Sequence, residues 1–203
     1  MKKLYIGIIF AFGAYTSYAQ NYEFQDVIDI ERLPVISQDN TGTCWSFSTS
    51  SFVESEIIRL TGRKIDVSEM YQARTTYIAK AENYVMRQGK ANFSEGALAH
   101  DVFNSIQQYG LVPNVIFDGL NEGQTKHNHE EMDAVLVAML KVYAENPGKK
   151  LSTNWKPAIN AVLDIYLGSI PTKFEFEGKN YTPKSFAEFA QIKPENYITL
   201  TSF

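Results

Sequence analysis

The sequence predicts an α+β fold in which helices dominate and strands come late. Two observations carry this. Apolar residues recur at helical spacing in five runs between residues 44 and 167, whereas period-two alternation is confined to a stretch around 173–181. A third observation bounds the start: residues 20–40 hold Ile28, Ile30, Leu33 and Val35 at irregular spacing, with Pro34 breaking any helix, and read as extended chain.

Residues 1–19 stand apart as a signal peptide. Lys2 and Lys3 form a positive start, Leu4 to Ala14 is a short apolar run, and Ser17-Tyr18-Ala19 places small residues before a cut at Gln20. The apolar run is too short to span a bilayer. No cysteine lies at the cut, so no lipid or membrane anchor is expected, and the protein is expected to be exported. The remainder, residues 20–203, suffices for one domain. Loss of Lys2 and Lys3 takes the formal charge from −4 to about −6. With no basic run or patch, a nucleic-acid partner is not expected.

The elements follow in order. Cys44 to Leu60 reads as the first helix, with Trp45, Phe52, Val53, Ile57 and Leu60 at near-helical spacing and Gly62 at the stop position. A second helix follows Asp66-Val67-Ser68-Glu69, capped by either Asp66 or Ser68, and shows Tyr71, Ile78 and Val85 on one face up to about Arg87. Phe93 to Gly96 forms a turn into a third helix, Ala97 to Tyr109, ended by Gly110 to Pro113. Two more helices are expected over Met132–Tyr143 and Trp155–Leu167. Lys173 to Tyr181 reads as a β-hairpin, Tyr181 to Ala187 opens a short helix, and Ile198 to Phe203 reads as a final strand.

Chemistry concentrates at Gln38-Asp39-Asn40-Thr41-Gly42-Thr43-Cys44-Trp45-Ser46-Phe47, which holds the chain's one cysteine. A cysteine at the first turn of a helix meets unpaired backbone N–H groups and the positive end of the helix dipole, which favour the nucleophilic thiolate. The Cys44 N–H and the Gln38 side-chain amide can both point at the oxygen of a carbonyl under attack. Taken alone, a cysteine before Trp and Phe also fits a small buried apolar residue. With one cysteine no intramolecular disulfide forms, and an unpaired thiol in an exported chain favours use.

Gln at minus six, Gly at minus two and Trp at plus one of Cys44 resemble the nucleophile motif of papain-like cysteine peptidases. Thr41 stands where secreted members often carry a disulfide cysteine. Val67-Ser68-Glu69-Met70 is similar to the start of the family's second helix. Ser94-Glu95-Gly96 is similar to its Gly-Gly turn, and Tyr109 to Pro113 to its Tyr-Gly-Leu segment. Residues 160–163, 181–186 and 197–203 resemble the helical insertion of the bleomycin hydrolase (aminopeptidase C) branch.

The resemblance implies a papain-like fold over residues 20–203, made of the helical half plus an insertion at about 130–190, with most of the C-terminal β-barrel half missing. It implies a thiol aminopeptidase acting on peptides through an acyl-enzyme on Cys44, with Gln38 in the oxyanion hole and Gly96 and Trp45 binding substrate. Only Gly96 of the Gly-Gly pair is present. Members assemble as homo-hexamers with the C-terminus placed in the cleft. No cofactor and no metal are implied.

The family's histidine and asparagine lie in its C-terminal half, the asparagine before Ser-Trp-Gly. Here the histidines are His100, His127 and His129, and no Asn-Ser-Trp-Gly follows. His100 reads as a helix residue. His127 and His129, with Glu122, Glu130 and Glu131 nearby, admit a metal-ligand reading or a solvated loop before a helix. The chain is therefore expected to lack the base and to be inactive alone. The alternatives are a non-catalytic exported peptide-binding domain or an inert gene fragment.

Overall fold

The computed structural model describes residues 22–146 and 150–200. The expected signal peptide lies outside them. Six α-helices and a two-stranded sheet are described: α1 (Cys44–Thr61), α2 (Glu69–Met86), α3 (Ala99–Tyr109), α4 (Glu130–Glu145), α5 (Trp155–Leu167), β1 (Phe174–Phe176), β2 (Lys179–Tyr181) and α6 (Pro183–Phe189). The architecture is mixed, helical with a small sheet, in agreement with the α+β expectation.

The helix ends obey local chemistry. Gly62 terminates α1 in the left-handed region at φ 70°, its N–H donating to Ile58 O. Ser68, rather than Asp66, caps α2: its hydroxyl accepts from the Tyr71 N–H at 2.9 Å. Helix α3 starts two residues later than its periodicity predicted, because the Leu98 N–H donates to the Asp101 carboxylate at 2.9 Å and makes Leu98 the cap. Helix α4 begins earlier than Met132, at Glu130, where Glu130, Glu131 and Asp133 complement the dipole of its first turn.

Helix α2 is the centre of the molecule and packs against α1, α3, α4 and α5. Its residues Glu69 to Tyr77 are all buried, so it is enclosed on more than the one predicted face. Part of the polar surface this buries finds partners, while Gln72 Oε1, Arg74 Nη1 and Thr76 Oγ1 have none among the described residues. The Gln72 amide donates to Gly110 O at 3.3 Å, Thr75 Oγ1 meets Ser105 Oγ at 2.6 Å, and Arg74 reaches Asp164 of α5 at 2.5 Å and Gly168 O at 3.3 Å. Helices α4 and α5 close one side with Met132, Leu136, Leu140, Ile159 and Leu163, all buried.

The hairpin pairs Phe174 with Tyr181 and Phe176 with Lys179 across a two-residue turn, in which Glu177 (φ 49°) and Gly178 (φ 73°) both take positive φ. Phe174, Phe176, Tyr181 and Phe189 surround the buried ring of Phe186 at centroid distances of 5.2–5.7 Å. The final strand expected from Ile198 does not form within the described residues. Tyr197 stacks on Phe103 at 4.8 Å, and beyond it Ile198 and Leu200 are exposed with no ladder partner to make a strand of them.

Candidate active site

The loop before α1 is tied down by its own short side chains. Thr41 Oγ1 donates to Gln38 O at 2.9 Å and lies 2.5 Å from Thr43 Oγ1, while the Gln38 amide donates back to Thr41 O. One isolated bridge secures the loop from outside: the Asn40 N–H donates to His127 O at 3.2 Å and the His129 N–H to Asn40 O at 3.3 Å. Asp39 takes φ 53° to make this corner, and its carboxylate accepts from the His127 N–H at 3.1 Å.

These ties deliver Cys44 to the first residue of α1 with its side chain exposed, not buried as the apolar alternative would have it. The N–H groups of Ser46 and Phe47 donate to Thr43 O at 2.8 and 3.2 Å, whereas those of Cys44 and Trp45 take no backbone partner among the described residues. The open end of the helix is thus presented beside the thiol. Cys44 and Gln38 line the same cleft, of about 730 Å³, walled on one side by Leu33 to Ile36 and on the other by Phe47, Ser48 and Ser51. A cleft of this size is in the range of small-ligand sites.

The same cleft is lined by Glu54, Asp66 and Glu69. Glu54 and Glu69 are only 5% and 4% exposed. Burial pushes the Glu54 carboxyl up to about 7, against the opposing effect of the Val67 N–H that donates to it at 3.1 Å. Burial, with the Glu54 and Asp66 charges adding to it, pushes Glu69 up to about 8. Oxygens of the three carboxyl groups lie within 4.8 Å of one another, the one such group of potential ion ligands among the described residues. Their hard oxygens are of the type that magnesium or calcium accepts. At neutral pH, however, the two buried members retain protons to a large extent.

The other two predicted substrate-binding residues stand elsewhere. Trp45 is 7% exposed and does not line the cleft; its indole N–H donates to Glu95 O at 3.0 Å. It thereby fixes the turn that carries Gly96, a supporting position behind the site. Gly96 is exposed and also lies outside the cleft lining, and its carbonyl accepts from Lys80 Nζ, as does that of Ser94. Burial lowers the Lys80 pKa, while Asp101 and Asp133 oppose this.

None of the three histidines lines the cleft. His100 is exposed on α3. His129 is 2% exposed, and burial together with neighbouring His127 lowers its pKa to about 4. The two rings stand edge to face at 6.1 Å, and His129 Nδ1 lies 3.5 Å from the Tyr77 hydroxyl. Neither belongs to the carboxylate group that could share an ion. Their backbones, through the bridge to Asn40, serve the loop that leads to Cys44.

No family model matches the chain, and no curated protein matches it. Among solved structures, the chain is similar to PepW from Lactobacillus rhamnosis HN001 (DR20), determined as the selenomethionine derivative. The TM-score is 0.62 and the identity 19%, over 81% of this chain and 45% of that chain. The likeness is one of fold. The chain spans less than half of PepW.

Sequence reading missed Glu54 as a cleft residue, though a signal existed. Glu54 falls at helical spacing from Ser50, Ile57 and Ile58, on the inward face of α1, where a charged residue is out of place. Glu69 was legible only as a helix-start residue. Glu95 carried no local signal, because its partner, the Gly42 N–H, lies 53 residues away.

Proposed function

We propose that the chain is the nucleophile-bearing portion of an exported thiol peptidase of the papain-like class, of the bleomycin hydrolase (aminopeptidase C) type. The observation that carries this is the placement of Cys44, exposed at the first residue of α1, in one cleft with Gln38. The PepW-like fold and the motif around Cys44 support it.

In this reading the Cys44 thiolate attacks the carbonyl carbon of a peptide bond and forms a C–S bond. The carbonyl electron pair moves onto oxygen, where the Cys44 N–H and a Gln38 amide hydrogen receive it. One hydrogen of the Gln38 amide holds Thr41 O, which leaves the second for the oxyanion. Collapse of the intermediate breaks the C–N bond, the amine leaves with a proton from a general acid, and water then hydrolyses the thioester. That acid, which first acts as base, is an imidazole supplied from outside the described residues, since no histidine lines the cleft. Gly96 keeps its N–H for an extended substrate, its carbonyl being held by Lys80. Assembly as a homo-oligomer belongs to the same proposal.

The test is binding of a peptidyl aldehyde with a free N-terminus. Affinity is expected to fall about tenfold or more in both Cys44→Ser and Gln38→Ala. Equal affinity in wild type and Cys44→Ser would refute the reading. The lack of an imidazole in the cleft lining favours a second reading, in which this chain binds peptide without turning it over. Cys44-dependent hydrolysis of an aminoacyl fluorogenic substrate by the purified chain would exclude that.

A further inference from the structure

We propose that Glu95 is a positioning residue that clamps the nucleophile loop to the 93–96 turn. This inference rests on the peptidase reading for its functional consequence, though not for its geometry. Glu95 makes two contacts with the loop, from opposite ends of the residue. Its carboxylate accepts from the Gly42 N–H, two residues before the nucleophile, and its backbone carbonyl accepts from the indole N–H of Trp45, one residue after it, at 3.0 Å. A carboxylate bond to a backbone N–H is charge-assisted and stronger than a neutral one.

The fit is close in a second sense. A Cβ built on Gly42 would meet Glu95 Cβ at 2.8 Å and the Glu95 carboxylate at 3.3 Å, so the absence of a side chain at 42 is what lets the turn approach. The far side of the turn is held as well. Lys80 Nζ donates to Ser94 O and Gly96 O, so the carbonyls of residues 94, 95 and 96 are all taken by side chains of α1 and α2. The turn is therefore braced on two helices, and Glu95 is its contact with the loop that carries Gln38 and Cys44.

The consequence is a fixed separation between the oxyanion donors at Cys44 and Gln38 and the exposed backbone edge at Gly96. Misplacement of such groups by about 1 Å costs about a hundredfold in reactions that depend on alignment. Simple alkylation of the thiol has no such requirement. Glu95 thus acts through the loop and touches no reacting atom.

The experiment compares wild type, Glu95→Ala, Glu95→Gln and Gly42→Ala in the full chain by three readouts. They are amide hydrogen exchange at Gly42, peptidyl aldehyde affinity and the rate of alkylation by iodoacetamide. In Glu95→Ala, exchange at position 42 is expected to rise and aldehyde affinity to fall, each about tenfold or more, with iodoacetamide alkylation within about twofold of wild type. Glu95→Gln keeps an oxygen acceptor but loses the charge, and should fall between wild type and Glu95→Ala in exchange and aldehyde affinity, with alkylation unchanged. Gly42→Ala should reproduce the loss of aldehyde affinity.

Unchanged exchange at Gly42 in Glu95→Ala overturns the clamp. A parallel fall in aldehyde affinity and iodoacetamide rate also overturns it, because it signals collapse of the loop rather than misalignment. If wild type and Cys44→Ser bind the aldehyde equally, the peptidase reading fails instead, and Gly42 exchange alone decides the clamp.

Discussion

Glu54→Gln tests the electrostatics of the cleft most directly. In the unfolded chain Glu54 ionises near 4.5, whereas burial holds it at about 7 in the folded protein. Between these values the folded state binds more protons than the unfolded one, so stability is fully present below about pH 4.5 and falls as pH rises through about 7. At about 1.4 kcal/mol per pKa unit, the interval amounts to about 3 kcal/mol lost. Glu69, held at about 8, extends the decline to higher pH. Glutamine cannot ionise, and its oxygen can still accept the Val67 N–H now 3.1 Å from Glu54. The variant should therefore exceed wild type by less than about 1 kcal/mol near pH 5 and by about 3 kcal/mol above pH 8. Urea unfolding at pH 5, 6.5 and 8.5, followed by circular dichroism, measures this. A wild-type stability that is flat across that range, or a variant that declines in parallel with it, would refute the reasoning.

Two substitutions test the packing that carries the site. Gly110→Ala is expected to lower stability by about 3 kcal/mol or more, because residue 110 takes φ 94° and a Cβ there would lie 2.2 Å from Pro183 O. Thermal unfolding reads it, and loss of less than about 1 kcal/mol would show that α6 yields easily. Phe186→Ala removes the fully buried ring at the centre of the hairpin cluster and should cost about 3–5 kcal/mol by urea unfolding, with Cys44 alkylation by iodoacetamide unchanged.

The elements that sequence reading located well are those whose causes are local. The periodicity of Trp155–Leu167 matched α5 at both ends, Gly62 stopped α1 where expected, and the alternation around Gly178 marked the hairpin. Each depends on residues within a turn or two of one another. The misses have distant causes. Ile198 onwards has strand-like residues, yet a strand exists only where a partner supplies the ladder. Helix α2 looked amphipathic about Tyr71, Ile78 and Val85, but four neighbouring helices enclose it, and its buried Gln72, Thr75 and Arg74 reach partners on α3, α5 and the turns beyond them.

The site divides in the same way. The sequence by itself determined that Cys44 opens a helix behind a loop whose threonines and Gln38 bond one another within a few residues. Only the tertiary structure decided what surrounds that thiol. It brought Glu54 of α1 and Glu69 of α2 into one low-dielectric floor beneath the cleft. It placed Trp45 behind the cleft rather than in it, and set Glu95 against Gly42. The physical reason is that burial and hydrogen bonding between distant segments set both the charge state of a carboxyl group and the position of a loop, and neither is encoded by a residue's immediate neighbours.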